Sequence, residues 1–253
     1  MTKEQEPELS SCASAKIGEL WPGFSVSVGD VVLDLGCGGR PMSAACAPLG
    51  PAIILADIDA CRLRQGVDYV AALHPRSLAA LVTDSSFLPL ADASVSRIIV
   101  TEVFEHVMVP ERVMGELVRV GHPGALYLLS VPDPSSENLQ RPFAAPSYFA
   151  HPNHIRIFER DTFDRLVLDA GLEIVNKTLE GFYWTMWWCL FWACQCDLTE
   201  ADRHPLLANW ARTWNLLMET ERGPVIKEAL DQVLPKSQTI IARKPTGVGA
   251  FSF

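Results

Sequence analysis

The stretch Val31-Val-Leu-Asp-Leu-Gly-Cys-Gly-Gly39 decides the fold class. Residues 31–35 form a short, mostly apolar run of the kind a buried strand needs, and the glycines behind it turn the chain sharply. A dinucleotide fingerprint reads G-x-G-x-x-G, its third glycine letting a helix pack closely on the strand. Here Gly36-Cys-Gly-Gly-Arg-Pro41 puts a proline at that place. Asp34 adds a negative charge just before the turn, where a pyrophosphate would be repelled. The turn therefore favours a cationic cofactor over a nicotinamide dinucleotide.

Working outward, residues 41–49 read as a helix with Pro41 in its first turn, where a missing N–H costs little. Residues 52–57 and 79–83 are further strands, 96–101 a fourth, and 110–120 a helix broken by His122-Pro-Gly124. Residues 125–131 are the fifth strand. Strands alternating with helices imply parallel βαβ units covered on both faces. Beyond Pro132 the pattern changes. The prolines at 132, 134, 142, 146 and 152 suggest one long loop over the functional edge of the sheet. Residues 160–170 make an amphipathic helix closed by Gly171, and 172–179 a strand. The chain then reads as helical from 183 to 234, with Leu206, Leu207, Trp210, Trp214, Leu217 and Met218 on one face, and returns to strand at 238–243. The expected organisation is an N-terminal segment (1–29), an α/β core (30–182), a helical insertion (183–234), and a last strand and tail (235–253).

Composition narrows the partners. A net charge of −9 over 253 residues argues against phosphate-backbone binding, so a small molecule is expected and nucleic acid is not. Seven cysteines without a CxxC pair fit reduced thiols in the cytoplasm better than a disulfide framework or a structural zinc site. No secretory signal is expected in the acidic, polar residues 1–14. The aromatic run 181–194 is too short to span a bilayer, which takes about 20 apolar residues. Packing beneath the following helices is its expected role, ahead of a substrate-pocket wall or a membrane-surface anchor. A monomer or a homodimer is expected.

The first stretch resembles motif I of class I S-adenosylmethionine-dependent methyltransferases. The resemblance continues in order through Leu55-Ala-Asp-Ile-Asp59, Thr83-Asp84, Leu88-Pro-Leu-Ala-Asp-Ala-Ser-Val-Ser96, Glu102-Val-Phe-Glu-His106 and Glu116-Leu-Val-Arg-Val-Gly-His-Pro-Gly124. It implies a doubly wound, mostly parallel seven-stranded α/β sheet with a helical insertion before the last strand. S-adenosylmethionine carries a sulfonium and an ammonium and no phosphate, which agrees with the acidic turn. By resemblance, Gly36, Cys37 and Gly38 border the methionine part of the cofactor, with Asp34 holding the loop and the ammonium region. Asp57 accepts both ribose hydroxyls, Ile58 adjoins it, and Asp84 and Ser85 meet the adenine.

Glu102-x-x-Glu105-His106 resembles the Mg²⁺ motif of ubiquinone-pathway and small-RNA 2′-O-methyltransferases, a pattern also present in relatives with no metal role. Glu102, Glu105 and His106 are accordingly candidate metal ligands, and Glu102, His106, His151 and His154 candidate catalytic residues. The expected reaction is O-methylation of a hydroxyl on a small molecule of sugar, glycan or natural-product type. The rivals are a non-catalytic scaffold on the same fold, a nicotinamide oxidoreductase and an RNA methyltransferase.

Overall fold

The computed structural model describes residues 18–246. The expectations for residues 1–14 and Cys12 lie outside that range. By contacts the chain divides into two units.

The first unit runs through Val131 and includes Asp161–Lys177 and the chain from Thr239. It opens with an antiparallel pair, β1 (Glu19–Trp21) and β2 (Phe24–Ser25). Next come β3 (Val31–Leu35), a 3₁₀ segment Met42–Leu49, β4 (Ala52–Asp57), α1 (Ala60–Ala71), β5 (Ser77–Val82) and β6 (Val95–Thr101). A 3₁₀ turn Phe104–His106 leads to α2 (Pro110–Val120) and β7 (Gly121–Pro132). A short helix, α3 (Pro134–Gln140), precedes α4 (Arg160–Asp169), β8 (Glu173–Glu180) and, after three more helices, β9 (Ser237–Arg243). The seven-stranded sheet has the order β5-β4-β3-β6-β7-β9-β8, and β5 through β7 pair in parallel. The sheet is doubly wound and mostly parallel.

Side-chain chemistry explains the registers. Val32, Leu33, Ile53, Leu55, Ile98, Ile99 and Leu128 are buried, as strands covered on both faces require. At the entry to β3, the Asp30 carboxylate accepts from Ser27 N (2.7 Å), Ser27 Oγ (2.8 Å) and Ser96 Oγ (2.7 Å) and pairs with Arg97 at 3.1 Å. One buried acid thus ties β3 to β6. In α2, Val113, Met114, Leu117 and Val120 face the core, Pro110 opens the first turn, and Glu111 and Arg119 suit the helix dipole. Glu116 accepts from Leu88 N at 2.9 Å, while Arg119 donates to Leu88 O, Leu90 O and Asp92 Oδ1. The segments 88–96 and 116–124, separate motifs in the sequence, are therefore one structural clamp.

Three features of this unit depart from the expectation. The sequence reading has no helix at α1, although Asp59 caps it by accepting from Cys61 N and Arg62 N. Pro41 is the cap of a 3₁₀ segment rather than part of an α-helix, and Pro48 inside that segment prevents longer helical hydrogen bonding. His122-Pro-Gly124 does not separate helix from strand, because β7 begins at Gly121.

The second unit consists of Pro132–Arg160 and Thr178–Gln238. The expected long loop is replaced by α3 and a 3₁₀ turn Pro146–Phe149. Asp133 caps α3 by accepting from Ser135 N and is held by Arg160 at 2.7 Å. Then come α5 (Phe182–Cys194), a 3₁₀ turn Leu198–Arg203, α6 (Pro205–Met218) and α7 (Gly223–Val233). α3 and α5 are joined by polar side chains: Thr185 Oγ1 donates to Ser136 Oγ (3.2 Å), Gln140 Nε2 to Ser136 Oγ (3.0 Å) and Trp192 Nε1 to Gln140 Oε1 (2.9 Å). Composition alone hid this, because Ser and Gln signal loops unless their partners are known.

Tyr183, Trp187 and Phe191 of α5 pack with Ala201, Leu207 and Trp214. The aromatic run is thus chiefly a packing element. Leu207 and Trp214 carry the buried face of α6, whereas Leu206, expected on it, is 42% exposed. Gly181 offers no side chain to cap α5, and Asp231 of α7 accepts from Phe182 N at 2.8 Å instead. Among the described residues no helix is long and apolar enough to cross a membrane.

Candidate functional site

From β3 the chain passes outward to β4 and β5, then returns to the other side of β3 to lay down β6. The crevice beyond the carboxyl ends of β3 and β6 is the switch point where ligands of such sheets bind. Gly36 follows β3 at φ 70°, and a Cβ there would stand 2.3 Å from Val103 Cγ2 in the segment after β6. The loops after β3 and β6 therefore meet, and glycine is required at 36 by that approach as well as by its backbone angle. Glu102 precedes this contact with φ 55°, its N–H bonded to Ser130 O at 3.0 Å.

The glycine turn is held from beneath by acids. Asp57, at the end of β4, accepts from Gly38 N through Oδ2 and from Asp59 N through Oδ1, both at 2.8 Å. Asp34 is 1% exposed and accepts from Ser43 N at 2.8 Å. Burial raises its carboxyl to about 6 against the Ser43 hydrogen bonds, with the Asp57 charge adding to the rise. Burial, then Asp34 and Asp57, also push the Cys37 thiol up to about 12, which disfavours its thiolate. The acids that depress ionisation of Cys37 would equally favour a positively charged ligand.

Packing of the turn on α1 uses a glycine that sequence reasoning missed. A Cβ on Gly66 would lie 2.6 Å from Gly38 O and 3.0 Å from Pro41 Cγ. The close helix approach that a third fingerprint glycine would permit is supplied from the opposite partner. A lone glycine inside the apolar spacing of Leu63, Val67 and Val70 was the available signal.

Ile58 is 74% exposed beside Asp57. Asp84 accepts from Ser86 N at 2.8 Å and from the Ser86 hydroxyl, hydrogen bonds that hold its carboxyl below the usual range, and Ser85 is half-buried. Glu105 is buried and approaches His106 at 3.7 Å. Ser130 Oγ donates to Glu102 Oε1 at 3.5 Å. His151 and His154 belong to the second unit, where His151 is exposed and His154 Nδ1 bonds Glu137 Oε2 at 2.8 Å.

Residues 13–177 match the family model described as a methyltransferase domain, which is more than half of the chain. The chain belongs to the class I S-adenosylmethionine-dependent methyltransferases. An uncharacterized methyltransferase of Mycobacterium leprae is 32% identical over 124 residues, 48% of this chain and 45% of that protein. The methyltransferase GfsG of Streptomyces halstedii is 27% identical over 178 residues, covering 67% and 62% respectively. The matched part of this methyltransferase thus spans about half to three-fifths of those relatives. A methyltransferase structure from Methanosarcina mazei shares the fold, with a TM-score of 0.57 at 17% identity, covering 88% of this chain and 95% of that one.

Proposed function

We propose that this methyltransferase moves a methyl group from S-adenosylmethionine to a hydroxyl oxygen of a small molecule. The observation that carries the reading is the meeting of Gly36 with Val103 at the switch point, over a turn backed by Asp34 and Asp57. A turn backed by two carboxylates suits a cationic ligand without phosphate. Bound there, S-adenosylmethionine supplies a methyl on a sulfonium, a leaving group that needs no further activation.

The chain's own work is to hold and align. The Asp57 oxygens already take one N–H each and keep acceptor capacity for a vicinal diol. Gly36, Cys37 and Gly38 offer backbone to the methionine part, while Asp34, being buried, acts by holding the loop. Ile58 covers the ribose and adenine edge, and Asp84 and Ser85 receive the adenine. Glu102 and His106 lie on the segment after β6 and border the acceptor. Most of the barrier reduction would come from alignment and water exclusion. A hydroxyl also needs somewhere to send its proton. His154 is the proposed acceptor, with His106 and His151 as the other imidazoles to compare. No step is assigned to Mg²⁺.

Calorimetric titration tests the reading without knowledge of the acceptor. S-adenosylhomocysteine should bind in the micromolar range, about −8 kcal/mol, with or without EDTA, and NAD⁺ should not bind. Binding of the dinucleotide alone would reverse the assignment. Absence of binding by either would return the chain to the scaffold class.

A further inference from the structure

The end of α5, within the second unit, carries two thiols that the methyl-transfer site does not use. Cys194 closes the helix, Gln195 follows in the left-handed region at φ 50°, and Cys196 comes next. Both cysteines are free, half-buried and packed against the aromatic cluster of this unit. Two chain steps span at most about 7 Å when fully extended. The bend at Gln195 shortens that span toward the roughly 4.4–6.8 Å between Cα atoms usual for a disulfide. The Cys194 sulfur lies 3.0 Å from Nδ1 of His204, which belongs to the same unit. His204 is the N-cap of α6, and the same Nδ1 accepts from Leu206 N at 3.3 Å. A ring nitrogen that accepts a backbone N–H carries no proton of its own, so the Cys194 thiol is the donor in this pair. Burial and the neighbouring Cys196 thiol hold Cys194 above the ordinary thiol range. Cys194 therefore rests protonated and ionises by handing its proton to a base.

A thiol proton aimed at an imidazole, with a second thiol two residues on, is the arrangement that a two-step thiol oxidation needs. We propose that Cys194 and Cys196 are a thiol-oxidation site, at which hydrogen peroxide converts the pair to an intrachain disulfide with His204 as the base. In the first step Cys194 Sγ passes its proton to His204 Nδ1 and attacks one peroxide oxygen. The O–O bond breaks, and the departing hydroxide takes the proton back from the imidazolium and leaves as water. Cys194 is left as a sulfenic acid, S–OH. In the second step the Cys196 sulfur attacks Cys194 Sγ, the S–O bond breaks, and the hydroxide leaves as water with the Cys196 proton. Two thiols and one peroxide thus give one disulfide and two waters, the two electrons passing from sulfur to peroxide oxygen. Forming the disulfide also removes the thiol contact that joins the end of α5 to the cap of α6. The site is independent of the methyl-transfer reading.

The test treats the reduced full chain with hydrogen peroxide, alkylates the remaining thiols and maps them by mass spectrometry. Cys61, exposed on α1, is the internal reference. The peptide holding residues 194 and 196 should lose two hydrogens and resist alkylation while Cys61 is still alkylated, and dithiothreitol should reverse the change. Cys196→Ser should stop the reaction at a Cys194 sulfenic acid that dimedone captures. His204→Asn, which can still cap α6, should slow disulfide formation by about 100-fold, the low end of general-base assistance. Oxidation of Cys61 ahead of the pair overturns the proposal, whether or not the variants fold. Disulfide formation at the wild-type rate in His204→Asn overturns it as well, because the proton then has another destination.

Discussion

Asp57 has one backbone N–H on each of its carboxylate oxygens, and these bonds shape the turn around Gly38 as well as orienting the acid. Replacement by alanine should therefore weaken S-adenosylhomocysteine binding by roughly 1.5–3 kcal/mol, about a 10- to 150-fold rise in Kd. Equal affinity in the variant by calorimetry would remove Asp57 from the site. Asp34 makes a different prediction because its carboxyl is raised to about 6. A raised acid contributes stability that is present below its unfolded value and lost as pH climbs through the folded one. Urea unfolding should accordingly show a loss of up to about 3 kcal/mol from this group between pH 4 and pH 7. Asp34→Asn should flatten that slope while keeping an acceptor for Ser43 N. An unchanged slope would mean that the buried charge is compensated elsewhere. Both acids were legible in the chain, because an acid inside or at the end of an apolar strand has to be explained. The demand for glycine at 36 was only half legible, since Val103, which fills the space, comes from the segment after another strand.

At the scale of elements, α1 and α2 offer a matched pair of glycines. Gly115 in α2 is exposed, with nothing within 4 Å of where a Cβ would stand, whereas at Gly66 in α1 the Gly38 carbonyl is 2.6 Å from that place. Helix propensity favours alanine over glycine by about 1 kcal/mol at either position. Gly115→Ala should thus stabilise by about 0.5–1 kcal/mol. In Gly66→Ala the overlap should dominate, costing roughly 1–3 kcal/mol and loosening the cofactor turn. Urea melts of both variants decide it, and stabilisation by both would show that the turn yields at no cost. The spacing of α2 was readable to its ends because its apolar residues fall on one face between a proline and a clear break. α1 escaped notice because Arg62, Arg64, Gln65 and Asp68 dilute a face of only Leu63, Val67 and Val70.

For the whole molecule, the aromatic run in α5 is the segment whose fate was most open. It packs with Ala201, Leu207 and Trp214, so the protein is expected to stay with the soluble fraction when floated with neutral phospholipid vesicles. Strong flotation lost on Trp187→Ala together with Trp188→Ala would assign those rings to lipid rather than to the core. Glu116 adds an acid limb to overall stability. The Arg119 hydrogen bonds hold its carboxyl down at about 2. Its contribution is complete above the ordinary carboxylate range and disappears as pH falls toward that value, releasing the 88–92 segment from α2.

Sequence alone determined the parallel sheet, the order of its first five strands along the chain and the preference for a cationic cofactor. These follow from runs of β-branched and apolar residues, glycine turns and acids at strand ends, all of which are local chemistry. Tertiary structure alone decided that Gly66 and Val103 shape the cofactor turn, that Glu102 meets Ser130, and that Glu137 anchors His154. Each of those depends on which surfaces meet after the chain has folded. Hydrogen bonds and close approaches between distant residues leave no periodic trace in the sequence, because only one residue of each pair needs an unusual identity.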